Sequence, residues 1–331
     1  MIKIVTNFNR SNITESSHKI KLLVKDLKGE TLITTNDEND FIYPRSSIKI
    51  FQAIPFVTSN AIANFNFNKK IIALSCSSHR GEAYHIKELE RWLNKIKIKL
   101  RDLKCGLHYP LNISAKEKIL RSNSKINQLF NNCAGKHLAM LSSCIVNGYN
   151  IKDYLSFNHP HQIEIRKIFE QFSETKINKK NYGVDGCSAP QYSFKIKDIS
   201  KLLINLIKSY KNNFKNSYET KVLINSIINN PNYIGGSDSL DSRIMKIASK
   251  KIFCKGGAEG VFLFIDLEKE ISGVIKVVDG NERAIPSVVF DLFKKFKIFN
   301  KKQQAEFKKQ YNFQLNNHAK ITIGSIKTNI L

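Results

Sequence analysis

Residues near both termini follow strand-like patterns of apolar and polar positions. Short runs there alternate between apolar and polar residues or are rich in β-branched residues, which predicts strands. The predicted strands are residues 2–6, 18–24, 31–34, 261–266, 272–278 and 321–326. A helix is predicted from Pro286 to Lys297. The sheet of this protein is therefore expected to take its strands from both ends of the chain.

Helical spacing of apolar residues dominates between Pro44 and Lys250. The clearest stripe lies in residues 84–103, where Leu89, Trp92 and Leu93 begin a repeat typical of a core-facing helix. Further helices are predicted for residues 115–121, 135–146, 161–172, 196–210 and 218–228. One short apolar run, residues 70–75, predicts an isolated strand.

These patterns together predict an α+β fold in which a mostly helical segment is inserted into an antiparallel sheet. We expect residues 1–42 and 251–331 to form a sheet lobe and residues 43–250 to form a helical lobe. The natural cleft of such a fold lies between sheet and helices, so the chemistry is expected there.

The chain is strongly basic, because 53 Lys and Arg residues face 28 Asp and Glu residues, for a net charge of +25 over 331 residues. Such a charge is typical of nucleic-acid-binding proteins when the cations are clustered. Here lysines are scattered beside Asn and Ile throughout the chain, so we expect no nucleic-acid partner. The alternative, a basic nucleic-acid-binding protein with structural zinc, predicts binding that weakens steeply with salt.

The amino terminus carries no apolar signal-peptide core, and no run of eighteen apolar residues is present. We therefore expect a cytoplasmic protein without a membrane partner. The six cysteines are widely spaced, which does not indicate a disulfide framework. They are expected to be buried or to serve as ligands.

Ser46 and Lys49 have the spacing S-x-x-K at the predicted start of a helix. Positions i and i+3 share a helix face, so the lysine amine can approach the serine hydroxyl. A lysine acts as a base only if burial or a neighbouring cation lowers its pKa, and Lys255 is a candidate neighbour. The same spacing recurs elsewhere, but only here does it follow a proline-marked turn. In addition, Lys255-Gly256-Gly257 resembles the K-T-G element that partners S-x-x-K in penicillin-recognising hydrolases.

Three further segments carry candidate chemistry. Ser78 lies in a polar run that follows the predicted strand at residues 70–75, where it either lines a cleft or forms a capping turn. Cys133, Lys136 and His137 precede or begin a predicted helix, as packing residues or as ligands. Asp185 and Cys187 lie in a glycine-flanked loop, which is either an ordinary turn or a presenting loop.

Taken in order, these segments resemble the asparaginase II family, the rhizobial-type L-asparaginases with a serine β-lactamase-like fold. The resemblance covers nearly the whole chain. It is carried by Arg10 with Glu15-Ser16-Ser17-His18, Tyr43 to Lys49, Ser77-Ser78-His79 with Gly81-Glu82, Cys105-Gly106 with His108 and Pro110, Asn132-Cys133 with Gly135-Lys136-His137, Asp185-Gly186-Cys187-Ser188, Lys255 with Gly257-Ala258-Glu259-Gly260, and Asp279-Gly280.

The resemblance implies an amidohydrolase that converts L-asparagine to L-aspartate and ammonia through an acyl-enzyme. It implies two serine-lysine pairs, Ser46 with Lys49 and Ser78 with Lys255, and we expect Ser46 to be the nucleophile and Lys49 its base. It further implies one zinc ion per chain that supports the site without performing hydrolysis. Its ligands would be Cys133, Lys136 and Cys187.

Charge complementarity assigns the substrate's α-ammonium to Asp185 and its α-carboxylate to Arg45 or His137. The resemblance also implies a homodimer. The chain departs from the family at Arg80, where a small polar residue is expected, and a long cation there is expected to crowd the cleft. The nearest alternatives within the same fold class are a glutaminase and a penicillin-recognising hydrolase.

Overall fold

The computed structural model describes residues 2–330. Two compact units make up this part of the chain. Unit 1 comprises residues 2–47, 194–204 and 244–330, and unit 2 comprises residues 48–193 and 205–243. Each unit is described by itself below.

The elements are named in chain order. The strands are β1 (Ile4–Arg10), β2 (Ile13–Asp26), β3 (Thr31–Thr34), β4 (Phe41–Ile42), β5 (Tyr182–Val184), β6 (Pro190–Tyr192), β7 (Phe194–Lys195), β8 (Ile252–Gly257), β9 (Val261–Asp266), β10 (Ile271–Val277), β11 (Gln314–Asn316) and β12 (Thr322–Asn329). The helices are α1 (Lys49–Thr58), α2 (Ala61–Asn64), α3 (Lys69–Leu74), α4 (Ala83–Lys95), α5 (Ile113–Arg121), α6 (Ala134–Val146), α7 (Pro160–Ser173), α8 (Ile196–Tyr210), α9 (Ser217–Asn229), α10 (Asn232–Gly235), α11 (Leu240–Ile247), α12 (Ile285–Lys295) and α13 (Lys301–Gln310).

Unit 1 is built on an 8-stranded sheet with the order β11-β12-β1-β2-β10-β9-β8, in which β3 also pairs with β2. Every pairing in this sheet is antiparallel. Strands from the first 34 residues therefore pair with strands from residue 271 onward. The predicted α+β class with an antiparallel sheet built from both termini is confirmed.

The core of unit 1 depends on a close fit between strands and α12. All six residues of β9 are buried. Gly273 faces Phe264 across the β9–β10 pair, and a Cβ at position 273 would lie 2.1 Å from the Phe264 ring. The absence of a side chain there leaves the ring free to pack edge-on against Phe293 of α12, with 5.0 Å between ring centroids.

Unit 2 is organised around α1, whose residues from Lys49 to Val57 are all buried. Helices α6, α7 and α9 pack against it. Its aromatic residues make close ring contacts, for example between Phe56 and Trp92 at 5.5 Å. The indole N–H of Trp92 donates a hydrogen bond to Ser142 Oγ at 2.9 Å, so this large buried side chain keeps a polar partner.

The predicted elements match the observed ones with two exceptions. The strand predicted at residues 70–75 is wrong, because this run forms helix α3. The Asn68 side chain caps that helix by accepting hydrogen bonds from the backbone N–H groups of Lys70 and Ile71. The long helix predicted over residues 84–103 is also wrong at its end, because α4 stops at Lys95 and Lys97 adopts a left-handed φ of 54°.

No helix within residues 2–330 combines the length and the hydropathy that a membrane-spanning segment requires. The lobe boundaries proposed after residues 42 and 250 stay a prediction.

Candidate active site

A buried lysine contacts a serine hydroxyl in unit 2. Lys49 is the first residue of α1 and is 1% exposed. Its Nζ donates a hydrogen bond to Ser78 Oγ at 3.0 Å and another to the carbonyl oxygen of Ser77. A lysine amine this close to a hydroxyl can exchange a proton with it, which is the basic requirement of serine-lysine chemistry.

The chain around Ser78 holds its backbone in place. Ser78 follows α3 and not the strand that the sequence predicted. Its backbone N–H donates to the carbonyl oxygen of Ile234 in α10 at 2.7 Å. The same N–H is therefore not free to donate to a substrate oxygen. Ser78 as a whole is half-buried.

In unit 1, the turn that carries Ser46 rests against the strand that carries Lys255. Ser46 lies in a short 3₁₀ turn, Arg45–Ile48. A Cβ at Gly257, the last residue of β8, would lie 2.5 Å from the Pro44 carbonyl oxygen. Glycine is thus required at this position for the close approach of the two backbones. Lys255 is 2% exposed and lies two residues earlier on the same strand.

Arg45, the residue before Ser46, has a left-handed backbone with φ 54°. Ser46 and Lys255 thus belong to unit 1, whereas Lys49 and Ser78 belong to unit 2. The pairs predicted from the sequence, Ser46 with Lys49 and Ser78 with Lys255, stay predictions.

A second cluster in unit 2 brings the predicted metal ligands together. Cys133 is the residue before α6, and Lys136 lies in the first turn of that helix. Asp185 and Cys187 come from the loop between β5 and β6. The ligand atoms of Cys133, Asp185 and Cys187 all lie within 4.8 Å of one another, and Lys136 Nζ is 3.1 Å from Cys187 Sγ. This group is one that could hold a metal ion.

The two thiols of the cluster differ in protonation. A hydrogen bond from Cys133 lowers the pKa of Cys187 to about 5, and the charge of Lys136 adds to the effect against the opposing influence of burial. The same hydrogen bond, together with burial, raises the pKa of Cys133 to about 12. The hydrogen bond and the Lys136 charge therefore favour the thiolate form of Cys187, the form that binds metals.

Lys136 neutralises the anions of this cluster. Burial lowers the pKa of Lys136, but the two cysteines and Asp185 outweigh burial and leave the pKa raised. Its Nζ lies 4.0 Å from Asp185 Oδ2. Cys187 Sγ lies 3.8 Å from the same oxygen, so Lys136 contacts both of these groups. A divalent cation here would take over the role that the ammonium now fills.

His137 follows in the same helical turn and is fully buried. Its Nδ1 lies 2.6 Å from Tyr154 Oη, and its Nε2 has no hydrogen-bond partner within residues 2–330. Burial, with the nearby charge of Lys136, lowers the pKa of His137 to about 3. The ring is therefore neutral and can offer an N–H to a carboxylate, but no positive charge.

One segment at this site was missed by sequence reasoning. Residues 231–239 supply the Ile234 carbonyl that holds Ser78 and also contact Arg80 and Glu82. The signals in the sequence were the Gly235-Gly236 pair and the polar residues after it, which indicate a tight turn but not its neighbours.

In unit 2, a buried lysine thus contacts a serine hydroxyl, and a cluster of cysteines with an aspartate could hold a metal ion. A family model described as L-asparaginase II matches residues 6–328. The chain belongs to the L-asparaginase II family, and it is accordingly an enzyme of the asparaginase class, an amidohydrolase.

Similarity to other proteins is more distant. No curated protein matches the sequence. Among solved structures, the chain is similar to a crystal structure described as that of a candidate beta-lactamase from Bacteroides dorei DSM 17855. The two share 9% sequence identity, with 88% of this chain and 93% of that chain covered and a TM-score of 0.40.

Proposed function

We propose that this enzyme hydrolyses the side-chain amide of L-asparagine to L-aspartate and ammonia through an acyl-enzyme. The observation that supports the proposal best is the hydrogen bond from the buried Lys49 to Ser78 in a chain of this family. An amine buried beside a hydroxyl is suited to moving a proton during attack on an amide.

In the proposed reaction the Ser46 hydroxyl attacks the amide carbon while Lys49 takes up the hydroxyl proton. The carbon–nitrogen bond then breaks, and the departing amine receives that proton and leaves as ammonia. Water attacks the resulting ester and loses a proton to Lys49, the ester bond to Ser46 breaks to release aspartate, and Lys49 passes the proton to the serine oxygen. Ser78 and Lys255 relay protons or polarise the amide. Backbone N–H groups near the nucleophile hold the oxyanion.

Substrate recognition is assigned by charge. Asp185 binds the α-ammonium, and Arg45 binds the α-carboxylate, because the neutral ring of His137 brings no charge to a carboxylate. Asp185 also lies beside the two cysteines, so its role divides between substrate and metal. An Asp185→Asn variant separates the roles: a raised KM with unchanged metal content supports substrate binding.

We propose that Cys133, Lys136 and Cys187 hold one zinc ion, with Asp185 at its edge. Ligand atoms around tetrahedral zinc lie about 3.8 Å apart, a spacing that donors within 4.8 Å of one another reach with small shifts. A bound zinc ion would keep both thiols and the amine deprotonated and so fix the start of α6. Elemental analysis of Cys133→Ser and Cys187→Ser tests this: both should lose zinc, and unchanged zinc in both would refute the assignment.

The direct test of function is turnover by the purified protein. Asparagine, glutamine and a chromogenic β-lactam are supplied in parallel, and ammonia release or ring opening is measured. Release of ammonia from asparagine is expected. Faster release from glutamine would indicate a glutaminase, and ring opening without ammonia release would indicate a penicillin-recognising hydrolase.

The nucleophile is tested in the same assay. Ser46→Ala should abolish turnover, and a fully active Ser46→Ala protein would assign attack to Ser78. We also propose a cytoplasmic homodimer without a nucleic-acid partner. Light scattering at several protein concentrations tests the dimer, and a monomer mass throughout would refute it.

A further inference from the structure

The segment of residues 232–239, named here the clamp segment, is joined to the Ser78 region by polar contacts. The carbonyl oxygen of Ile234 accepts the backbone N–H of Ser78 at 2.7 Å. The carbonyl oxygen of Asn232 lies 2.9 Å from His85 Nε2. Because His85 Nδ1 accepts a hydrogen bond from a backbone N–H, its proton sits on Nε2 and is donated to that carbonyl. Through the Ile234 carbonyl oxygen, the clamp segment thus fixes the backbone of Ser78 directly.

Arg80 connects the clamp segment to a second loop. Its Nε lies 2.8 Å from Asp238 Oδ1, in an ion pair whose orientation is not that of an aligned hydrogen bond. Nη2 of Arg80 donates a hydrogen bond to the Leu111 carbonyl oxygen at 3.0 Å. The aliphatic part of the side chain packs on Gly236, where a Cβ would lie 3.2 Å from Arg80 Cβ. The guanidinium is thus engaged on two sides, with the side chain 32% exposed.

Glu82 holds the same segment from a second point. Its carboxylate accepts hydrogen bonds from the hydroxyl of Ser237 at 2.6 Å and from the Ser237 backbone N–H at 3.0 Å. Burial raises the pKa of Glu82, but the bonds from Ser237 and Tyr84 outweigh burial and leave the pKa lowered. Glu82 also caps α4. Replacing Glu82 would therefore disturb α4 as well as the clamp segment. For this reason Arg80 is the residue chosen for substitution.

We propose that Arg80 is a positioning residue for the hydrolysis reaction, which it serves by holding the clamp segment against the backbone of Ser78. This inference rests on the proposed function, in which Ser78 relays protons. Lys49 is fixed by its burial and by the Ser77 carbonyl. The backbone N–H of Ser78 is fixed by Ile234, in the segment that Arg80 anchors through Asp238. A shift of the clamp segment would move the Ser78 hydroxyl away from the Lys49 amine.

The kinetic test compares Arg80→Ala, Arg80→Lys, Asp238→Asn and the Arg80→Ala/Asp238→Asn double variant. A misplacement of about 1 Å can reduce turnover about 100-fold, so Arg80→Ala should lower kcat by about 10- to 100-fold while KM stays within about twofold. Arg80→Lys should recover part of kcat, because it keeps the charge for Asp238. The kcat of the double variant should be no lower than the kcat of the less active single variant. Arg121→Ala, which removes an exposed cation paired with Glu117 at 3.9 Å, is the matched control and should leave kcat unchanged.

A second measurement does not depend on turnover. Ser78→Cys places a half-buried thiol beside Lys49, whereas the six native cysteines are all buried. The pH dependence of its alkylation by iodoacetamide reports the thiolate, which a hydrogen bond donated by the Lys49 amine favours. Adding Arg80→Ala should shift the alkylation midpoint towards the ordinary value of about 8.5 and slow labelling at pH 7 at least about threefold.

Unchanged kcat and unchanged labelling in the Arg80→Ala proteins would overturn the positioning role. If Arg80→Ala does not fold, Asp238→Asn, which keeps the side-chain volume, gives the same two readouts. A wild-type protein that does not hydrolyse asparagine would refute the proposed function alone, because the labelling experiment still tests whether Arg80 holds position 78 against Lys49. A fall in kcat matched by an equal fall in the folded fraction, with normal labelling of the folded protein, would assign Arg80 a purely structural role.

Discussion

Lys49 is an ionisable side chain placed where a hydrocarbon side chain would be expected. It is 1% exposed and donates to Ser77 and Ser78. Replacing a buried charge by a residue of similar volume is often neutral or stabilising. We therefore expect Lys49→Met to keep its melting temperature while losing at least about 100-fold in ammonia release, because the base is gone.

The control for this prediction is Lys301→Met, which removes an exposed lysine at the start of α13. It should change neither turnover nor melting temperature by much. A Lys49→Met protein that releases ammonia at the wild-type rate would show that the buried amine takes no part in the reaction.

His85 gives the stability of the protein a defined pH dependence. Burial lowers its pKa from 6.5 to about 4, against smaller opposing contributions that include Glu82. Above pH 6.5 the ring is neutral in both the folded and the unfolded state, so the contribution of His85 to the free energy of unfolding is fully present. As the pH falls towards 4, the unfolded chain takes up the proton first and stability is lost, by about 3 kcal/mol in total.

We expect His85→Gln to reduce this dependence, because an amide can accept from the Glu82 N–H and donate to Asn232 without titrating. Urea unfolding at several pH values between 4 and 6.5 measures the pH dependence of the free energy of unfolding in both proteins. The slope of the unfolding free energy should fall by up to about 1.4 kcal/mol per pH unit in the middle of this window. An identical slope in both proteins would show that His85 is not held neutral.

At the scale of elements, the end of strand β8 fixes the turn that carries Ser46. Gly257→Ala would place a methyl group 2.5 Å from the Pro44 carbonyl oxygen, so the turn must move. We expect a loss of about 1–3 kcal/mol in stability and a fall of at least about tenfold in kcat. Gly256→Ala is the matched control, because within residues 2–330 no atom other than those of its chain neighbours lies within 4 Å of its Cβ position. Equal kcat values for the two variants would contradict the prediction.

Element prediction from the sequence succeeded for the 15-residue helix α8, whose pattern only helical spacing satisfies, and failed for the short run of α3. The run in α3 has only six residues and is buried from Ile71 to Leu74, so alternation and helical spacing look alike. The Asn68 cap decided between them.

At the scale of the whole molecule, the sequence identified the side chains that could react but not all of their neighbours. The resemblance to the asparaginase II family implied that Cys133, Lys136 and Cys187 meet, and their atoms do lie together. The sequence reasoning paired Ser78 with Lys255, so the direct hydrogen bond from Lys49 to Ser78 was not predicted, nor was the role of Ile234. Backbone carbonyls carry no sequence signal, and contacts between residues far apart in the chain depend on the packed fold.

The net charge of +25 leads to a prediction about salt. Self-repulsion among so many cations opposes the compact state, and it is screened as the Debye length falls from about 30 Å at 0.01 M salt to about 8 Å at 0.15 M. Exposed ion pairs such as Arg121 with Glu117 contribute little that salt could remove. We therefore expect the melting temperature to rise by a few degrees between about 10 mM and about 200 mM NaCl. Repeating the scan with sodium fluoride controls for ion-specific binding, and a melting temperature that falls with both salts would show that attractive pairs outweigh repulsion.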